Sequence, residues 1–457
     1  MATFSKSQQL AMDAFEMGKS FFLTGKAGTG KSFVTRSIID RCKEIGKQVL
    51  VCAPTGIAAI NVGGVTIHSA FAAPVGVINP GARCKNGKKI EVLQAADVIL
   101  IDEISMCRLD LFEFVLNSIA SLSGEKQIIM VGDFFQLPPI LSESEKEAYS
   151  SVYNSVYPFH SELWDFATIE LKEVIRTSDR KLIKALDDLR VGIPNFDIFK
   201  ESKRRDKKAI CLCTTNKRAG EINMLEMKQL EEPKLFKARI MGNYPEKDQP
   251  TDKELRLSVG ARIIMLNNSD FWVNGSLGTV QEIVDDETIS ILLDSDTQVN
   301  VQRNTWEYCE YVTTVNEYGK KEIKQETVGT FMQFPVKLAW AITVHKSQGQ
   351  TYDKVNVFAE RFFCDGQMYV ALSRCKTLKG MKIIGKISEK GLMCSAEVKD
   401  FMATTKIIKS VKRGGHRTGA GRKARFEGMA MKNIRVPAEF EQQIFDYIDT
   451  LISKQNQ

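Results

Sequence analysis

The stretch Phe21 to Ser32, FFLTGKAGTGKS, sets Gly25, Gly28 and Gly30 ahead of Lys31 and Ser32 in the spacing G-x-x-x-x-G-K-S. Glycines at these positions let the backbone N–H groups of Gly25, Ala27, Gly28, Thr29 and Gly30 curl around phosphate oxygens, and a following helix aims its positive end at them. Lys31 then reaches the β- and γ-phosphates and Ser32 holds Mg²⁺. The bland alternative, a glycine turn between a core strand and a helix, leaves the Lys-Ser pair without a purpose. The stretch reads as a nucleoside triphosphate site.

Two more strand ends carry chemistry. VILIDEIS places Asp102 and Glu103 after an apolar run, where the first carboxylate can bind Mg²⁺ and the second can polarise an attacking water. An Asp-Glu pair alone is a solvated strand end; behind a P-loop at this distance it is a catalytic pair. VGDFFQLPPI supplies Gln136 to sense the γ-phosphate, on a loop stiffened by Pro138 and Pro139. At least one of Phe134 and Phe135 in that loop is ordinary core.

These residues need a scaffold. Over residues 1–170 short apolar runs alternate with helical stretches such as Phe33–Gly46 and Leu109–Ser121, the pattern of a parallel sheet covered on both faces. The Gly-, Pro- and Lys-rich segment near 72–92 is too polar for core and reads as a protruding hairpin or loop. A second α/β region begins near Leu171, spans 171–226 and resumes over 336–400. Between its halves, strand-like runs over 227–335 predict an inserted β-domain. Residues 401–457 read as a basic, Gly-rich linker followed by a strand and a helix in which Phe440, Ile444, Ile448 and Leu451 share a face.

Composition narrows the class. The 457 residues carry a net charge of +7, yet residues 406–435 hold ten Lys/Arg and one acid, so the rest of the chain is slightly acidic. Any nucleic-acid role for the body therefore rests on local grooves, while the arm offers diffuse attraction to phosphates. The ten cysteines form no C-x-x-C pair and the four histidines share no metal-ligand spacing with them, which points to a reduced compartment and away from zinc. No signal-like amino terminus or membrane-length apolar run is present in the sequence, so a cytoplasmic location is expected.

The order of motifs resembles the superfamily 1B DNA helicases of RecD and Dda type, above all the phage-encoded Dda-like enzymes, over about residues 1–385. Gln8 in FSKSQQLA resembles the adenine-reading glutamine, APTGIAA and TIHSAF the segments that contact single strands, and DEIS and GDFFQLPP motifs II and III. LKEVIRT, TVHKSQGQTYDKV and YVALSRC resemble motifs IV, V and VI. The resemblance implies two RecA-like P-loop domains with ATP and Mg²⁺ between them, a wedge in the first and an SH3-like fold for the inserted β-domain. It implies Arg176 and Arg374 as arginines reaching across to the γ-phosphate, and Pro54, Thr55, His68, Thr343, His345 and Lys346 as grips on single-stranded DNA. For each grip, a loop-capping polar residue is the competing reading. The activity implied is 5′ to 3′ translocation coupled to strand separation at single-strand/duplex junctions, in host cytoplasm if phage-encoded. Single-stranded-DNA-binding or replication proteins are the accessory partners, and the chain is a monomer unless its carboxyl-terminal segment, which resembles half of a ribbon-helix-helix unit, dimerises.

One departure stands out. Ala72 to Val92 contains no Phe, Tyr or Trp, so the wedge must rely on apolar residues such as Val77 or Ile78, or on Phe71 at its base. Two other readings compete: an ATP-toggled DNA-binding switch, against which Glu103, Gln136 and the two arginines argue, and a P-loop enzyme for a small substrate, which leaves motifs Ia, V and VI unexplained.

Overall fold

Six strands form one all-parallel sheet: β1 (Phe21–Gly25), β2 (Val49–Ala53), β3 (Val65–Thr66), β4 (Val98–Ile101), β5 (Gln127–Val131) and β6 (Ala167–Leu171), in the order β3-β2-β4-β5-β1-β6. The computed structural model describes residues 4–272, 274–315 and 321–410. Because side chains alternate along a strand, Phe21 and Leu23 join one core with Val34 and Ile38, while Phe22 joins the other with Leu50, Ile99 and Phe112. Both faces are buried, which is why β1 and β4 read as unbroken apolar runs. The helix after the P-loop is Lys31–Glu44, beginning two residues before the expected Phe33, and the later one is Leu109–Ala120.

Of the two forms expected for 72–92 the structure has the loop, over 72–86, but the segment is not excluded from the core. A loop leads into a helix, Gly87–Ala95, and Ile78, Cys84, Val92 and Leu93 are buried in the first core. The carboxylate of buried Asp110 accepts from the Ile78 N–H at 3.0 Å, and Tyr153 donates its hydroxyl to the Ile78 carbonyl at 2.9 Å. These partners let a polar segment pack, because its backbone groups are satisfied.

A second all-parallel sheet has the order Ala341–Thr343, Ile210–Cys213, Val355–Phe358, Met381–Ile384, Glu201–Ser202. Its core includes the helix Arg180–Arg190 through Leu182, Ala185 and Leu189. Between its strands lies an antiparallel five-stranded sheet, Gln298–Gln302, Thr288–Leu293, Leu277–Ile283, Arg262–Met265, Val336–Leu338. That last strand carries the inserted sheet just past Pro335. A long pair of strands, Asn304–Val315 and Lys321–Gln333, extends from it and meets the Gly87–Ala95 helix, where Lys89 pairs with Glu310 at 2.7 Å.

Residues 401–408 are not linker. The helix Ala396–Thr404 returns to the first core, where the Phe401 ring stacks on Phe159 at 4.4 Å and meets Trp164 edge-on at 5.6 Å. The chain then pairs alongside β6: Thr168 N–H donates to the Lys406 carbonyl and Ile408 N–H to the Thr168 carbonyl, both at 2.8 Å. Sequence patterning missed this because three paired residues carry no period. The strand-helix expected over 434–451 lies outside the described residues.

Candidate functional site

The two parallel sheets meet at the P-loop. Gly28 and Gly30 have φ of 81° and 87°, a left-handed backbone that L side chains rarely adopt. A Cβ on Gly28 would collide with the Arg176 side chain, and one on Gly30 would lie 2.6 Å from Gln8 Nε2. Gln8 itself is buried, capped against Ser5, and donates to the Thr29 carbonyl at 3.1 Å, so it braces the loop. The Lys31–Glu44 helix starts directly after Gly30 with no side-chain cap, leaving its first N–H groups facing the loop as an anion cradle. Lys31 Nζ donates to the Gly25 carbonyl at 2.7 Å; burial pushes the ammonium below the usual lysine range, and Asp133 and Glu103 pull the other way. An ammonium so placed fits a phosphate that would replace the water it has lost.

Asp102 directly follows β4 and accepts from the Glu103 N–H at 2.9 Å; burial and the Glu103 charge push its carboxyl up to about 7. Burial raises Glu103 too, against Lys31 and Arg374. A buried acid and a half-buried one held this close are what a cation relieves, so Ser32 and Asp102 fit Mg²⁺. Among the described residues no group of three or more His, Cys, Asp or Glu is arranged to hold a metal alone. Phosphate oxygens and water would therefore complete the shell. Ser32, Asp102 and Glu103 share a cavity of about 750 Å³ with Asn61, Trp306 and His345.

Four residues reach this site from beyond the first sheet. Gln348 Nε2 donates to Glu103 at 3.1 Å, and the P-loop N–H of Ala27 donates to the Tyr369 hydroxyl at 2.9 Å. Arg176 lies against Gly28 and donates to the Ser373 carbonyl at 3.0 Å; burial and the neighbouring Arg374 push its guanidinium down to about 9. Arg374, 1% exposed, donates to the carbonyls of Val370, Ser347 and Gln350. Gln136 is buried and its amide donates to Asp133 at 3.2 Å. Lys31, Asp102, Glu103, Gln136, Arg176 and Arg374 thus converge on one cleft.

Sequence reasoning missed Tyr369, Gln348, Asp133 and Arg190. Only Asp133, an acid directly after a strand in VGDFF, carries a local signal. Phe134 packs among Phe22, Phe159 and Trp164, and Phe135 lies under the Arg190 guanidinium at 4.2 Å, so both rings are buried.

Of the expected DNA grips, Thr55, His345 and Lys346 line the same cavity as Ser32, Asp102 and Glu103, whereas Thr343 is buried. The Thr55 hydroxyl accepts from the Ala58 N–H at 3.3 Å and the Thr343 hydroxyl from the Lys346 N–H at 3.3 Å, so both act as caps in this structure. Pro54 and His68 are half-buried, burial pushes His345 below the usual histidine range, and Lys346 is exposed. The turn at Asn274–Gly275 of the inserted domain reaches across, where Asn274 donates to Asn61 at 3.1 Å. The wedge candidates do not fit their expectation: Phe71 and Ile78 are buried at 0% and 3%, and Val77 packs against the Leu109–Tyr149–Tyr153 cluster. Val75, 82% exposed, is the large aliphatic side chain this segment presents to solvent, beside the exposed Pro74.

Residues 3–190 match the PIF1-like helicase family. The ATP-dependent DNA helicase Pif1 of Campylobacter jejuni is 32% identical over 400 residues, covering 79% of this chain and 88% of that one. The structure of Bacteroides sp Pif1 in complex with ADP-AlF4 superposes with a TM-score of 0.78 at 32% identity, over 88% of this chain and 97% of that one. Bacteroides Pif1 bound to ssDNA superposes at 0.64 with 33% identity over the same shares, and unliganded Pif1 from Bacteroides sp at 0.77, so the arrangement here is nearer the unliganded one. Further relatives are Pif1 helicases of bacteria and vertebrates, which corrects the expected likeness to phage-encoded Dda-like enzymes. With its two parallel sheets closing on a P-loop and relatives that match along most of their length, the chain belongs to the PIF1-like helicase family.

Proposed function

We propose that this PIF1-like helicase uses ATP hydrolysis between its two parallel-sheet domains to move 5′ to 3′ along single-stranded DNA and part a duplex at the junction. The observation that carries the reading is the convergence on one cleft of the P-loop, Glu103 and Gln136 from the first sheet and Arg176, Gln348 and Arg374 from the other side. Lys31 and the P-loop N–H groups bind the triphosphate, and Gln8 reads the base. Bound Mg²⁺, held by Ser32 and Asp102, would neutralise charge on the phosphate oxygens. Glu103 takes the proton of the attacking water, with Gln348 fixing its carboxylate. Gln136 contacts the γ-phosphate, while Arg176 and Arg374 supply positive charge as negative charge develops there. For Arg374 this requires exchanging main-chain carbonyl partners for phosphate as the cleft tightens.

In this reading residues 1–170 form the first motor domain, joined by the helix Ala396–Thr404, 171–226 and 336–395 the second, and 227–335 a cover over the strand. Thr55, His68, Thr343, His345 and Lys346 hold phosphates or bases, and the exposed Val75 is the wedge. The substrate is a single strand ending in a duplex, worked on by one copy of the chain. The test measures ATP hydrolysis with and without single-stranded DNA, then unwinding of duplexes carrying a 5′ or a 3′ tail. Stimulated hydrolysis and unwinding from the 5′ tail are expected; unwinding from the 3′ tail alone overturns the polarity, and DNA-indifferent hydrolysis overturns the motor.

A further inference from the structure

The loop after β5 belongs covalently to the first sheet, yet the second domain holds it. Leu137 is fully buried in the second core. A Cβ on Gly366, which has φ of 69°, would collide with the Gln136 carbonyl. The strongest tie is ionic: Arg190, at the end of the helix Arg180–Arg190, donates to Asp133 from Nη2 at 2.8 Å and from Nε at 3.3 Å. Both residues are buried, at 6% and 1% exposure. Asp133 also accepts the Gln136 amide, and its charge acts on Lys31. Burial works to raise the Asp133 carboxyl, but Arg190 and Lys31 outweigh it and hold it below the usual carboxylate range. One turn earlier on the same helix, Asp187 pairs with Lys26 of the P-loop at 2.6 Å. One helix face therefore presents an acid to the P-loop and a base to the sensor loop, three residues apart.

We propose that Arg190 is a positioning residue for ATP hydrolysis. By neutralising Asp133 it keeps that carboxylate from capturing the Lys31 ammonium, and through Asp133 it fixes the Gln136 amide, so that the γ-phosphate contact moves with the second domain. A buried carboxylate that loses its partner seeks the nearest cation, and here that cation is the lysine the triphosphate needs. The inference rests on the helicase reading above.

The experiment is a mutant cycle read by DNA-stimulated ATPase kinetics. Arg190→Gln should raise the KM for ATP and lower kcat, with kcat/KM falling at least about tenfold. Arg190→Gln combined with Asp133→Asn removes both charges and should be more active than Arg190→Gln alone, the sign of rescue that a merely structural role does not give. Arg190→Lys, which keeps the charge without the fork, should fall between wild type and Arg190→Gln and covers a failure of the glutamine variant to fold. Losses that multiply in the double variant overturn the proposal, as does an Arg190→Gln or Arg190→Lys enzyme with unchanged kinetics. A wild-type chain that hydrolyses no ATP would instead overturn the helicase reading, so the two failures are distinguishable.

Discussion

Lys31 and Glu103 lie in the same cleft but fail in different ways when changed. Lys31 is held by the Gly25 carbonyl in a desolvated site, so Lys31→Ala removes the charge that binds triphosphate in ground and transition states; hydrolysis should be abolished in a single-strand-stimulated ATPase assay. Glu103→Gln keeps the shape and the hydrogen-bonding partner Gln348, so nucleotide should still bind in a fluorescence titration while turnover falls about 10²-fold or more. Loss of nucleotide binding in that variant would make Glu103 structural. At this scale the sequence was highly informative wherever chemistry demands a local pattern. The P-loop glycines, the Asp-Glu pair and the glutamine are written within short windows because a single turn of backbone presents each. Arg190 was illegible for the opposite reason: its partner lies 57 positions away and the residues around it, DDLR, form an ordinary amphipathic helix.

Among the elements, the parallel strands were readable as apolar runs, and the inserted strands as alternating ones. The segment 72–92 was misread because its burial depends on partners supplied from elsewhere, Asp110 and Tyr153, which no local composition reveals. Its exposed tip gives a test: Val75→Asp should slow unwinding of a tailed duplex severalfold while leaving stimulated hydrolysis near wild type, since Val75 touches neither ATP nor the core. Equal unwinding by both proteins would remove Val75 from strand separation. The returning helix Ala396–Thr404 gives another. Phe401→Ala deletes a ring stacked on Phe159 and edged by Phe134 and Trp164, and should destabilise by about 3 kcal/mol, the lower end of the range for core aromatics because the ring is only partly buried. An unchanged denaturant midpoint would show the helix to be dispensable for stability.

For the molecule as a whole, charge and chain path matter more than any one contact. Most of the net positive charge lies toward the carboxyl end, and pairing with β6 ends at Ile408, so removing 411–457 spares every described contact of the motor. Maximal stimulated hydrolysis should be preserved in that truncation. Affinity for single strands should fall, and its logarithmic dependence on salt should become shallower by about 0.7 for each lost phosphate contact; an unchanged slope in a salt titration would mean that the arm does not touch DNA. The path of the chain has a separate consequence. It passes from the first sheet to the second near residues 172–178 and comes back near 393–395, where the Ala396–Thr404 helix and Lys406–Ile408 fasten it again to the first. Two such crossings work like the pins of a door. If the two sheets turn about the line through these crossings, opening and closing retrace one arc in every cycle, and a stroke that retraces itself carries nothing forward on its own. Direction along the strand must then come from timing, with each domain loosening its hold in the half of the cycle when the other tightens.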